Sequence, residues 1–191
     1  MTAIPPTKPN PTREDEVLAA AAALFAERGY AATSIRDIGE RVGLLGGSLY
    51  HYIKSKDALF VRLHDAALQG AEDRIRAAIE GVDNPARRLA MACRVLLAIQ
   101  LDPESLTMPL MNDLRAVPEG VRAQLIQRRD AFERLFSQLV DALPPHPGRD
   151  PAIYRILLLT TLNSAGAWYR PGRLGVEAIA DQILALYGID G

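Results

Sequence analysis

Residues Thr33 to Lys56 read TSIRDIGERVGLLGGSLYHYIKSK, and their spacing predicts two short helices joined by a tight turn. Thr33 and Ser34 carry hydroxyls that can accept a bond from a free N–H at a helix start. Asp37 stands three residues after Ser34, where the acid of a capping box belongs. From there Ile35, Ile38 and Val42 recur at helical spacing, with Arg36, Asp37, Glu40 and Arg41 on the other faces. Gly43 ends that helix. Beyond Leu44 and Leu45, the run from Gly46 to Ile53 predicts a second helix, too short to hold alone, that packs across the first through Leu49 and Ile53. The pattern is a helix-turn-helix.

With Leu49 and Ile53 pointing inward, Ser48, Tyr50, His51 and Tyr52 take the remaining faces, and Lys54 and Lys56 follow directly. Hydroxyls, phenols, imidazole and ammonium groups hydrogen-bond phosphate oxygens, and glycines let backbone N–H groups approach a phosphate closely. The candidate DNA contacts are therefore Thr33, Ser34, Arg36, Gly46, Gly47, Ser48, Tyr50, His51, Tyr52, Lys54 and Lys56. The competing reading, an aromatic that only packs, applies most to Tyr52 beside Ile53.

The longer stretch GYAATSIRDIGERVGLLGGSLYHYIKSKDAL, preceded by AALFAERG, resembles the DNA-binding domain of the TetR family of one-component bacterial regulators. The likeness is ungapped from Val17 to Phe60 and rests on Phe25, Gly29, Thr33, Ser34, the Ile38 to Gly43 helix end, Gly47, Leu49 to Tyr52, Ser55 and Lys56. Where that family often carries a polar pair such as Ser-Lys, this chain has Leu45 and Gly46, which removes a capping hydroxyl and a cation from the recognition helix. The resemblance implies a homodimer that binds palindromic operator DNA and responds to a small-molecule effector.

Composition neither announces nor forbids this. The 191 residues are 49% hydrophobic and 24% charged, with a formal net charge of -1, so attraction to phosphate must come from placement and from pairing of subunits. The single cysteine, Cys93, excludes an intramolecular disulfide and a cysteine-cluster metal site. His51, His64 and His146 are scattered over the motif, a connecting helix and a proline-rich loop, so neither a metal set nor a catalytic constellation is visible and the chain does not read as an enzyme. The N-terminus lacks the apolar core of a secretory signal, and the longest apolar run, Val17 to Ala26, is about half the ~20 residues that cross a bilayer. A cytoplasmic protein with no membrane partner and no cofactor is expected.

Along the chain, residues 1–11 read as a flexible proline-rich arm, 12–56 as the DNA-binding domain and 57–191 as a ligand-binding and dimerisation domain. The expected fold is all-α, with about nine helices. The helix following Ser55 leaves the motif without a flexible linker, so it can carry a change in the later domain to the DNA-reading segment.

The last two helices are too apolar for one buried face each. Ile153, Leu157, Leu158, Leu162, Ala165, Ile179, Ile183 and Leu186 are the candidate dimer interface, and the TetR resemblance likewise implies a four-helix interface there. The candidate effector pocket is lined by Met91, Val95, Met108, Met111, Leu125, Phe132 and Trp168, with Arg115, Arg128 and Arg170 as cations suited to an anionic amphiphile. The segment NSAGAWYRPGRLGVEAIADQILALYG, Asn163 to Gly188, resembles the C-terminal part of a TetR branch that controls fatty-acid and steroid degradation, which implies an acyl-CoA thioester as effector. The expected function is a ligand-released repressor. A multidrug-sensing repressor and a helical binding module without DNA recognition are the alternatives.

Overall fold

Local capping decides where each helix begins. In the computed structural model, which describes residues 12–102 and 117–189, Thr12 and Asp15 form a reciprocal capping box that starts α1 (Arg13–Arg28). Gly29, at φ 79°, closes that helix. Ser34 and Asp37 repeat the device at α2 (Ile35–Arg41). Leu45, by contrast, offers no side-chain cap to α3, which spans only Gly46–Leu49. Ser55 accepts a bond from Ala58 N–H at 3.0 Å and starts α4 (Lys56–Ile79), a helix of 24 residues, about 36 Å long at 1.5 Å per residue. Asn84 and Pro85 start α5 (Pro85–Leu101). Then come α6 (Glu119–Asp141), α7 (Pro151–Trp168, capped by Asp150) and α8 (Val176–Leu186).

The described residues thus contain eight α-helices and no strand, against the nine or so expected. The proposed arm at residues 1–11 and the segment that holds Met108, Met111 and Arg115 lie outside them. None of the described helices is long and apolar enough to cross a membrane.

Two buried clusters organise these helices. The first gathers Val17, Ala21, Leu24 and Phe25 of α1, Tyr30, Ile38, Leu49 and Ile53, and it continues into Leu59, Phe60 and Leu63 of α4. Val117, just before α6, and Val121 and Leu125 in its first two turns complete it. The second lies beyond, with Leu68, Ala71 and Ile75 of α4, most of α5, Phe132, Leu135 and Phe136 of α6, and the inner faces of α7 and α8. Both α4 and α6 therefore run through both clusters. The first core reaches seven residues past the expected boundary at residue 56, because three short helices cannot bury enough apolar surface among themselves.

This arrangement corrects two of the expectations. Leu125 does not belong to a C-terminal ligand pocket: it is 1% exposed and packs in the N-terminal core. Of the candidate interface residues, Leu158, Leu162, Ala165, Ile179 and Ile183 are buried in the protomer's own second core. Only Ile153, Leu157 and Leu186 of that set face solvent, with Ile156 beside them. Both helices bury one stripe inward, and that leaves α7 with a second, exposed apolar stripe.

Candidate nucleic-acid interface

The turn between α2 and α3 is held by close backbone approach. Gly39 is buried, and Leu44 N–H donates to its carbonyl at 2.8 Å. A Cβ at position 39 would lie 2.9 Å from the Leu44 carbonyl oxygen, so only glycine fits without a backbone shift. Gly43, at φ 66°, turns the chain. The Arg13 guanidinium donates to the Val42 carbonyl and ties the start of α1 to the same turn.

The second helix of the motif is shorter than expected. It ends at Leu49 rather than reaching Ile53, and the chain continues in turns through Tyr52, with Tyr52 N–H donating to Leu49 O at 2.9 Å and His51 N–H to Ser48 O at 3.3 Å. Two glycines at its start and the uncapped Leu45 leave little to propagate the helix. Leu49 and Ile53 still point inward, as their i, i+4 spacing predicts, and fix the segment to the first core.

What this leaves outside is a compact set of polar groups. Gly47, Tyr50, His51 and Lys54 are exposed, Ser48 and Tyr52 are half-buried, and Leu45 stands out into solvent. Tyr52 packs against the core edge. Ser34 is exposed at the α2 start, where its hydroxyl and N–H each donate to Asp37 at 2.7 Å. Those bonds hold the Asp37 carboxyl below the usual carboxylate range. Arg36 pairs with Glu40 at 2.7 Å, but its side chain is 86% exposed. A pair so open to water contributes little, so the guanidinium can exchange its carboxylate for a phosphate at small cost.

Two candidates are turned inward. The Thr33 hydroxyl donates to the Gly29 and Leu24 carbonyls at 2.9 and 3.2 Å and is 1% exposed, so it locks the α1–α2 connection instead of facing a ligand. The Lys56 ammonium donates to the Tyr30 and Thr33 carbonyls, both at 3.1 Å, and sits 4.1 Å from the centre of the Tyr30 ring. Its charge is directed inward. Tyr30 in turn donates its phenol to Asp57 and packs between Phe25 and Phe60. Burial and the Asp57 carboxylate raise its pKa. Sequence reasoning missed this anchor, although Tyr30 directly after the helix-ending Gly29 was the available signal.

The effector candidates among the described residues are not brought together. Met91 and Val95 are half-buried on α5, and Val95 lines an open groove with Arg74, Arg94 and Val176. Arg128 lies 3.2 Å from Asp65, and with Phe132 it borders a different groove between α4 and α6. Trp168 is 52% exposed at the end of α7, and the Arg170 guanidinium donates to the neighbouring Tyr169 carbonyl at 2.6 Å. What the sequence did not mark are three buried polar atoms without a hydrogen-bond partner, His64 Nδ1, Asp65 Oδ1 and Gln100 Oε1; of these, Asp65 Oδ1 has Arg128 as its ion-pair partner, which leaves His64 Nδ1 and Gln100 Oε1. His64 is 2% exposed, beside Phe60 and facing Arg129. Burial first, and then the Arg129 charge, depress its pKa to about 4. Gln100 donates to Asn163 Oδ1 at 2.7 Å through its amide. Among the described residues no three His, Cys, Asp or Glu side chains converge on a metal position.

Comparison with known proteins places this geometry. Residues 17–63 match the model for bacterial regulatory proteins of the tetR family, and residues 82–187 match the tetracyclin repressor-like C-terminal domain. The HTH-type transcriptional repressor KstR2 of Mycobacterium tuberculosis is 30% identical over 182 residues, 92% of this chain and 90% of that protein. The solved structure of that ketosteroid transcriptional regulator superposes with a TM-score of 0.76 at 27% identity, covering 96% of this chain and 97% of the other. AibR, solved in complex with isovaleryl coenzyme A and operator DNA, shares the fold with a TM-score of 0.80 at 22% identity over 92% of this chain and 97% of its own.

Proposed function

Because the chain belongs to the TetR family of bacterial regulatory proteins, we propose that its Gly46 to Lys54 segment enters the major groove of operator DNA, once from each subunit of a homodimer. The observation that carries this reading is the set Gly47, Ser48, Tyr50, His51 and Lys54, held outward on a segment whose Leu49 and Ile53 are locked in the core. Exposed Arg36 and Ser34 flank it. Two such segments about one helical turn of DNA apart supply the affinity that one weakly charged module lacks. The protein acts as a repressor, like its KstR2 relatives, and works in the cytoplasm, where the chromosome lies.

The effector is an acyl-CoA-like thioester received by the C-terminal half. Its support is threefold: the likeness to KstR2, the isovaleryl coenzyme A taken by AibR, and the two unpartnered buried polar atoms. His64 and Gln100 each lie 15 residues from the α4–α5 connection, on helices packed along each other, so they share a level. An effector carrying a donor and an acceptor would satisfy both atoms. That level lies between the two cores that α4 and α6 both cross, so an occupant there biases the setting of the DNA-reading segment. A hundredfold release needs about 2.7 kcal/mol of differential affinity between the two states.

The test is binding of the purified protein to its own upstream DNA at two salt concentrations, with and without isovaleryl, long-chain and steroid-derived acyl-CoA thioesters. Specific binding that weakens steeply with salt and is abolished by one thioester is expected. Binding that no thioester releases would sink the effector assignment and leave the regulator intact.

A further inference from the structure

One side chain at the edge of the polar set does not suit water. Leu45 is 83% exposed, and no large hydrophobic among the described residues is more so. The fold uses only its backbone: at φ -67° and ψ 146° it is extended, and its carbonyl accepts the Ser48 and Leu49 N–H groups at 2.9 and 3.3 Å. The side chain neither caps α3 nor enters the first core, against which the neighbouring Leu44 packs. A serine or aspartate here would cap the helix start, so the protomer by itself favours a different residue. Gly47 is equally unneeded by the packing. Its φ is not positive, and an added Cβ would meet nothing within 4 Å.

We propose that Leu45 of each subunit packs on the C5-methyl group of a thymine in the major groove, so that this step of each half-site is selected by shape and apolarity and not by hydrogen bonds. This deepens the operator reading and rests on it. Leu45 directly precedes the Gly46 to Lys54 segment, and docking of that segment takes the leucine out of water. The major groove offers it one apolar group. Bases present hydrogen-bond donors and acceptors on their major-groove edges, and only thymine adds a methyl. Burial against a phosphate or a polar base edge would instead desolvate that polar group with no bond in return.

The two glycines bring the contact within reach. With hydrogen in place of a side chain, positions 46 and 47 put no bulk between the start of α3 and the floor of the groove, so the backbone and Leu45 approach the bases closely. They also bring no side-chain donor or acceptor, which leaves side-chain reading at this end of the segment to Leu45. Ser48, Tyr50, His51 and Lys54 carry the hydrogen-bonding groups, suited to phosphate and to base edges further along.

The test uses the operator that the full chain selects from a random-sequence DNA pool, with thymines replaced by deoxyuridine in symmetry-related pairs. Uracil keeps the base pairing and the O4 acceptor and lacks only the methyl. One such pair is expected to weaken binding by the parent about fifteenfold, about fourfold for each methyl lost from an apolar contact. The same pair should leave binding by Leu45→Ser unchanged. That variant should itself bind the thymine operator about fifteenfold or more weakly while melting no lower than the parent, and Leu45→Ala, which adds no cap, should respond to deoxyuridine as Leu45→Ser does. No sensitive pair, or a pair to which the parent and Leu45→Ser respond alike, would overturn the methyl contact and leave the operator reading standing. A chain that selects no sequence from the pool would overturn both.

Discussion

The Lys56 ammonium lies 4.1 Å from the centre of the Tyr30 ring and bonds two carbonyls of the α1–α2 connection, Tyr30 O and Thr33 O. A lysine at the end of a DNA-binding motif is thus used to close the domain. Lys56→Met should cost about 1–3 kcal/mol of stability, since the carbonyls lose a charged donor. Urea unfolding measures it. A stability change below about 0.5 kcal/mol would show the contact to be idle.

Lys54 makes the opposite case. It is exposed and carries no ion pair among the contacts of the described residues. In Lys54→Gln the dependence of log K for operator DNA on log salt should flatten by about 1.8, two phosphates per dimer at ~0.9 each, with stability unchanged. Titrations at several salt concentrations test this, and Lys56→Met serves as the contrast that should leave the slope alone.

Tyr50 is 60% exposed, above a segment anchored by Leu49. Removing it should leave folding within about 0.5 kcal/mol. Tyr50→Ala is expected to weaken operator binding roughly tenfold or more, by loss of about 1.4 kcal/mol or more of hydrogen bonding and contact. A variant that keeps its melting temperature and full operator affinity would remove Tyr50 from the interface.

At Gly39 the constraint is backbone against backbone, 2.9 Å from a Cβ to the Leu44 carbonyl oxygen. Gly39→Ala should destabilise the N-terminal domain by about 1–3 kcal/mol, because no flexible side chain can yield. DNA binding should fall with it. Thermal melting that matches the parent would contradict the tight turn.

His64 titrates in the folded protein at about 4, below its ordinary value of 6.5. Between those two values the unfolded chain holds more protons than the folded one. Stability is therefore fully present above about pH 6.5 and is lost as the pH falls toward 4, by about 3 kcal/mol at most. Urea unfolding at pH 7.5 and pH 5 should show this loss in the parent and its absence in His64→Leu. Equal pH dependence in both would place the imidazole in water.

Several elements were legible in the sequence because they depend on neighbours a few residues away. The Ser34 and Asp37 capping box, the glycine stops at Gly29 and Gly43, the inward Leu49 and Ile53, and the all-helical class follow from local bonding and from the 3.6-residue period. Tertiary structure alone decided which partner each remaining group found. Thr33 and Lys56 have the chemistry of phosphate ligands, yet the chain brings backbone carbonyls to them first. Leu125 has the character of any pocket or core leucine, and only the return of α6 against the first domain assigns it there. Along α7, periodicity marked apolar residues all round the helix. Burial against α5 and α6 chose one stripe for the protomer and left Ile153, Ile156 and Leu157 outside. Hydrophobicity measures what a residue avoids, and only the packed chain determines what covers it.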